Sequence, residues 1–384
     1  MIDPTVRKIE LLAPAKNLAC GVAAINHGAD AVYIGGPGFS ARAAAANSIQ
    51  DIEQLVGHAH LFGAKVYVAL NTIFSDDELE QAVAMCHTLY RIGVDALIIQ
   101  DTGLLQSDLP PIALHSSTQM NNRTPERVCF WQNVGLEQVV LARELSLSQI
   151  REIRAKSSVV LEFFVHGALC VSYSGQCYIS EVMAGRSANR GECAQFCRHK
   201  FDLKDGDGRL LEKDSYLLSL KDLDLSANLE ELIDAGISSL KIEGRLKDEQ
   251  YVKNVTAYYR KALDKIISER SDLVAASSGV CRFDFSPDPQ KSFNRGSTDY
   301  FIRKKRNIVG DLRSPKSKGQ LIGRVASIDK SSFVVDTNEK IVNGDGLCFY
   351  NRQGTLVCLR VKIAYGIMLF TKDNVKRLGL NPGM

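Results

Sequence analysis

The sequence predicts an α/β protein: a (β/α)8 TIM-like barrel with an inserted cysteine-rich loop, followed by a small antiparallel β-barrel domain. Three observations lead there. A helical stretch, a glycine, two or three polar residues and an apolar strand recur five times in the first 245 residues, as in AINHGADAVYIGG (24–36) and ELIDAGISSLKIEG (231–244). Near-continuous Val, Ile, Leu and Ala in those strands read as parallel and buried on both faces. No G-x-G-x-x-G follows the first strand, which counts against a dinucleotide-binding sheet.

The strands are expected at 10–15, 31–36, 65–71, 96–101, 112–117, 138–143, 159–167 and 239–244, eight in all. Eight βα units in a span of about 250 residues match a barrel in size. Gly28, Gly63, Gly93, Gly135 and Gly236 stand where a helix C-terminus calls for a left-handed residue. The seventh unit is abnormal, with its cysteine loop at 168–200 and a hairpin expected around 201–220. An amphipathic stretch at 247–266 reads as the final barrel helix. The barrel is thus expected over 1–267, a linker and basic arm over 268–318, and the small β-barrel over 319–384. That last region has short alternating strands separated by turns such as Asn343-Gly344-Asp345-Gly346.

Four of the ten cysteines, Cys170, Cys177, Cys193 and Cys197, fall within twenty-eight residues. The glycines and serines between them carry neither helical nor strand periodicity. So long a loop inside a compact domain is uncommon unless functional or pinned. The N-terminus shows no apolar run before a cleavage site, so a reducing, cytoplasmic setting is expected and disulfides are not. Structural zinc usually takes two close pairs of ligands, and only Cys193 and Cys197 are that close. An iron–sulfur cluster tolerates varied spacing. Four unrelated core cysteines are the plainer alternative. Spacing favours a metal centre.

In a barrel, chemistry gathers at the C-terminal ends of the strands. Polar residues expected there include Lys16, Asn17, Asn71, Gln100, Asp101, His115, Gln119, Arg143, Glu144, His166, Glu243 and Arg245. The catalytic candidates are His115, His166, Glu162, Lys241 and Glu243. Each has a plainer role: Asn71 and Asp101 as helix caps, either histidine as a structural one, Glu162 and Lys241 as a buried pair. A net charge of +3 decides nothing, but its distribution does. Residues 291–318 hold nine basic side chains against Asp299 and Asp311. Arg295, Arg303, Lys304, Lys305 and Arg306, with Phe293, Tyr300 and Phe301 among them, read either as a solvated face or as an RNA-binding arm. No apolar run reaches the length of a membrane helix.

The run Glu162-x-Phe164-x-x-Gly167-Ala168-Leu169-Cys170, then Gly175-x-Cys177-x-Ile179-Ser180, resembles the signature of the peptidase U32 family, the collagenase-like proteins. Asn189-Arg190-Gly191-x-Cys193-x-Gln195-x-Cys197-Arg198 is similar to its second cysteine block. Phe293-Asn294-Arg295-Gly296-x-Thr298-Asp299 resembles the subgroup that hydroxylates cytidine in large-subunit ribosomal RNA. The resemblance implies a [4Fe–4S] cluster on Cys170, Cys177, Cys193 and Cys197 and an RNA substrate, ribosomal or transfer RNA. For the family's transfer-RNA members it implies prephenate as the hydroxyl donor, and it implies an accessory protein partner. Members of the subgroup continue beyond this chain's length. A peptidase, or a factor in transfer-RNA uridine or ubiquinone hydroxylation, is the alternative within the family. The sequence has neither H-E-x-x-H nor G-x-S-x-G, although Cys170 with His166 would make a cysteine–histidine pair.

Overall fold

The computed structural model describes residues 6–40, 47–303, 308–329, 331–372 and 379–384. The chain falls into two compact units. The first takes the residues up to Phe196, then Lys221–Ser292 and Ser297–Val309; the second takes Cys197–Leu220, Phe293–Gly296 and Gly310–Met384.

The first unit is built on the eight expected strands. They are β1 (Arg7–Ala15), β2 (Ala31–Gly35), β3 (Lys65–Leu70), β4 (Ala96–Ile99), β5 (Ala113–Ser116), β6 (Gln138–Val140), β7 (Val160–Ala168) and, after three strands introduced below, β11 (Ile237–Ile242). All pair in parallel in chain order, and β11 pairs with both β7 and β1, which closes the barrel.

Local chemistry sets the helices. In α1 (Leu18–Asn26) the Asn17 side chain accepts from the backbone of Cys20, and in α2 (Ile49–His60) Ser48 accepts from Asp51. A capping box, Ser75 with Glu78, opens α3 (Asp76–Arg91). Thr124 and a first-turn proline open α4 (Pro125–Asn133), and a second capping box, Ser146 with Gln149, opens α5 (Leu147–Lys156). All five predicted capping glycines adopt positive φ, from 64° at Gly63 to 105° at Gly236. Between β4 and β5 there is only a 3-10 turn, Thr102–Gln106, started by Asp101.

The stretch 169–200 carries short helical turns and one short helix, α6 (Ile179–Ala184). The expected hairpin follows as β8 (Phe201–Lys204) and β9 (Leu210–Ser215), in the second unit. The chain returns to the barrel through β10 (Asp222–Asp224), antiparallel to the end of β7, and α7 (Leu229–Asp234). The last barrel helix is α8 (Glu249–Ser268), two residues later at each end than expected, with Asp248 as its cap.

The chain beyond residue 267 continues to pair with strands of the first unit. β12 (Leu273–Ala275) pairs with the start of β1, and β13 (Ser297–Thr298) pairs with β10. The Ser277 backbone N–H and hydroxyl both donate to Asp30, at 3.0 and 2.6 Å. Asp30 also accepts from the Leu11 backbone and pairs with Arg260 of α8 at 3.0 Å. Serine-rich composition reads as linker. Here it supplies the donors that a buried carboxylate needs.

The second unit differs from the expected closed β-barrel. Its strands β14 (Arg324–Ile328), β15 (Ser332–Asp336), β18 (Ile363–Tyr365) and β19 (Met368–Phe370) make a four-stranded sheet, ordered β14-β15-β19-β18. A separate hairpin joins β16 (Gly346–Tyr350) to β17 (Leu356–Arg360). Val325, Phe333, Val335, Leu359, Val361 and Leu369 share one core. Alternation predicts the strands, but closure depends on edge pairings that alternation does not specify. The absence of disulfides is also corrected. Cys348 and Cys358 stand directly opposite in the hairpin register and are bonded, their Cα atoms 4.1 Å apart. Among the described residues no helix is long and apolar enough to cross a membrane.

Candidate active site in the barrel

The barrel interior divides by strand. Leu12, Ala31, Tyr33, Tyr67, Ala69, Ala96 and Ile98 pack as one apolar cluster. Gln138, Glu162, Ser239 and Lys241, from β6, β7 and β11, are polar and buried with Glu10 of β1. Glu10, paired in register with Ser239, accepts from the Tyr67 hydroxyl at 2.5 Å and the Ser239 hydroxyl at 2.6 Å. Burial pushes its carboxyl above the usual range.

One layer nearer the C-terminal ends, Lys241 Nζ stands 2.5 Å from Glu162 Oε1, and both are buried. Gln138 donates to the other Glu162 oxygen at 2.6 Å. The ammonium lies 4.3 Å from the Tyr33 ring centroid and 5.2 Å from that of Phe164. Burial lowers the Lys241 pKa, and the Glu162 carboxylate opposes that shift.

At the mouth, Arg143 Nη2 donates to Glu243 Oε2 at 3.0 Å while its guanidinium lies 3.7 Å over the Phe164 ring. Its Nε is buried without a hydrogen-bond partner among the described residues. Arg245 donates to the Ser40 hydroxyl at 2.9 Å and faces the Tyr33 ring at 5.6 Å. Asn71 bridges Ser117 and Gln119, 3.2 Å to each. Lys241, Arg143 and Arg245 thus stand against Glu162 and Glu243, around two aromatic rings. Such a site suits an anionic or π-rich ligand.

Glu162, Lys241 and Glu243 therefore come together as candidates. His115 lies inside the barrel, edge-on to Tyr67 at 4.6 Å between ring centroids. Burial and the nearby Lys241 cation lower its pKa to about 3. An imidazole so weakly basic stays neutral near pH 7 and is a poor general base there. His166 packs against α8, its Nδ1 3.2 Å from the Tyr259 hydroxyl. Asp101 proves to be a cap, whereas Asn71 reaches across the mouth. Sequence reading missed Glu10, Tyr67, Tyr33 and Ser40. Glu10 did leave a signal, as a lone carboxylate in the otherwise apolar run IELLAPA.

Cys170, Cys177, Cys193 and Cys197 are outside disulfides and of intermediate exposure. The first three belong to the barrel unit and Cys197 to the second. As a donor set they fit an iron–sulfur cluster in kind. Among the described residues no group of three or more His, Cys, Asp or Glu side chains that could hold a metal ion is found. Arg303 is paired with Glu231 at 3.0 Å, and Arg295 donates to the Pro315 carbonyl at 2.7 Å. Lys304, Lys305 and Arg306 lie outside the described residues.

Fold and site together define a TIM-like barrel protein with a cationic, aromatic-lined mouth at its C-terminal end. The chain belongs to peptidase family U32, whose family model matches residues 16–310. It is 55% identical over 340 residues to the 23S rRNA 5-hydroxycytidine C2501 synthase of Escherichia coli K12, covering 88% of this chain and 52% of that protein. The chain thus spans about half the length of that relative. It is 34% identical to tRNA hydroxylation protein P1 of Bacillus subtilis, over 90% of this chain and 84% of that one. A collagenase of Porphyromonas gingivalis is 30% identical, over 91% of this chain and 82% of that protein.

Proposed function

We propose that this chain carries the barrel of an RNA-hydroxylating enzyme that acts on a cytidine of large-subunit ribosomal RNA. The observation that supports it most is the 55% identity to the 5-hydroxycytidine synthase, which extends over 88% of this chain. The site is compatible with that reading. A base flipped out of an RNA loop presents a flat π-face and polar edges, and the mouth offers the Tyr33 and Phe164 rings with cations around them. Prephenate, the proposed hydroxyl donor, is a dicarboxylate, and Arg143, Arg245 and Lys241 are a suitable set of cations for it. Glu243 would hold the Arg143 guanidinium in place, and Glu162 would keep Lys241 charged in a buried position. An RNA substrate in the ribosome implies a cytoplasmic protein.

The four thiols are proposed as ligands of a [4Fe–4S] cluster. When bound, such a cluster supplies a Lewis-acidic or redox centre. The chemistry of the donor set supports it, with Cys170, Cys177, Cys193 and Cys197 all outside disulfides. A peptidase reading has less behind it, since Nδ1 of His166, the one histidine near Cys170 in sequence, is engaged by Tyr259.

The test is mass spectrometry of nucleosides from the ribosomal RNA of cells lacking the gene. 5-Hydroxycytidine should vanish and return on complementation. Its persistence at the wild-type level would refute the reading.

A further inference from the structure

We propose that Tyr173, seated on Arg123 at the rim of the barrel mouth, is a stacking platform for an unpaired RNA base flanking the nucleotide that enters the barrel. The inference rests on the RNA reading above and names the surface that would hold the strand.

Tyr173 is 69% exposed. The Arg123 guanidinium carbon lies 4.8 Å over the ring centroid, backing one face. Arg123 is itself held, its Nε donating to Asn121 Oδ1 at 2.5 Å, with Asn121 in the left-handed region at φ 61°. An aromatic ring with a cation behind it and solvent in front is the surface on which single-stranded bases stack.

The neighbouring residue fixes where the ring stands. Ser174 is buried and adopts φ 52°, a left-handed conformation that serine rarely takes. Its backbone N–H donates to Glu144 Oε1 at 2.8 Å and its hydroxyl donates to the Thr118 carbonyl. Gln176 donates to the Gln119 carbonyl at 2.6 Å. Glu144 follows the end of β6, and Thr118 and Gln119 follow the end of β5. The segment is therefore strapped across two loops at the catalytic end of the barrel, with Tyr173 turned outward. Strain held this firmly is a feature of functional segments rather than of idle loops.

A second ring adjoins the rim. Tyr300 stacks on Phe301 at 4.2 Å between centroids, and Phe301 is 37% exposed. Burial raises the Tyr300 hydroxyl to about 12. Several cations that the sequence offered for RNA are engaged by other side chains of the same chain. Arg303 pairs with Glu231, Lys318 with Asp311, and Arg313 covers Tyr350.

The test is binding of the full chain to a short unpaired RNA carrying 2-aminopurine, whose fluorescence is quenched by stacking. Wild-type protein should bind and quench. Tyr173→Ala should bind roughly 5- to 100-fold more weakly, as loss of one base–aromatic stack implies. It should lose the quench yet keep the wild-type salt dependence, because no phosphate contact is removed. Tyr173→Trp should restore both affinity and quench, and Arg123→Gln should weaken both in part. An exposed position makes misfolding of these variants easy to check by thermal melting. Wild-type affinity and quench in Tyr173→Ala would overturn the platform, as would a loss that Tyr173→Trp does not rescue. Failure of the wild-type protein to bind any RNA would instead overturn the RNA reading itself, and the platform with it.

Discussion

At the scale of single residues, the barrel interior is governed by the cost of burying charge. Glu162 and Lys241 are both buried, and each is tolerable because of the other. Gln138 takes up the second carboxylate oxygen, and the Tyr33 ring lies beside the ammonium. Removing one partner leaves the other uncompensated, so Glu162→Gln or Lys241→Met alone should each cost about 3–5 kcal/mol of stability. The double variant should cost much less than their sum, since neither charge remains. Urea denaturation of the four proteins measures this, and strictly additive losses would show the pair is not coupled in the way the geometry implies. Glu10 follows the same physics to a different end. Burial pushes its carboxyl toward the neutral form, and two hydroxyls hold it.

At the scale of elements, the end of β7 sets the site. Its last residues pair with β11 on one side and β10 on the other. The β11 pairing slips between Lys241 and Ile242, so Phe164 and Lys241 share a layer while His166 meets Ile242 and packs against α8. Gly167 adopts φ 101°, and a Cβ there would lie 2.5 Å from the Glu243 carbonyl oxygen. Both conformation and space therefore exclude a side chain. Gly167→Ala should destabilise the fold by roughly 2 kcal/mol or more, through left-handed strain and a forced shift of the backbone at Glu243, just after β11. Chemical denaturation reads that loss. A variant as stable as wild type would mean that β7 and β11 can part here without cost.

At the scale of the whole molecule, the cysteines link stability, redox state and proposed chemistry. Protein purified without oxygen should contain about four irons and four sulfides per chain, as a cubane on four thiolates requires. Serine at Cys170, Cys177, Cys193 or Cys197 should each remove much of that iron. Serine at Cys86 or Cys129, which lie on the barrel helices, should not. Stoichiometric zinc with no sulfide would sink the assignment. Cys348 and Cys358 stand outside this set, already joined across their hairpin.

The sequence by itself determined the barrel, because parallel strands buried on both faces leave an apolar record and five of the helix–strand turns leave a glycine. The family followed from the cysteine blocks, where residue identity rather than periodicity carries the information. Tertiary structure alone decided which polar residues meet. One residue of slip beside Gly167 separates His166 from Lys241, and no local pattern in β7 or β11 announces it. It also decided that 268–309 belongs largely with the barrel, because the partner of Ser277 is a carboxylate 247 residues away. The closing of the last strands depended likewise on long-range pairing, and there the alternating pattern predicted strands but not their sheet. Local sequence records what each segment buries; only the assembled chain settles what it is buried against.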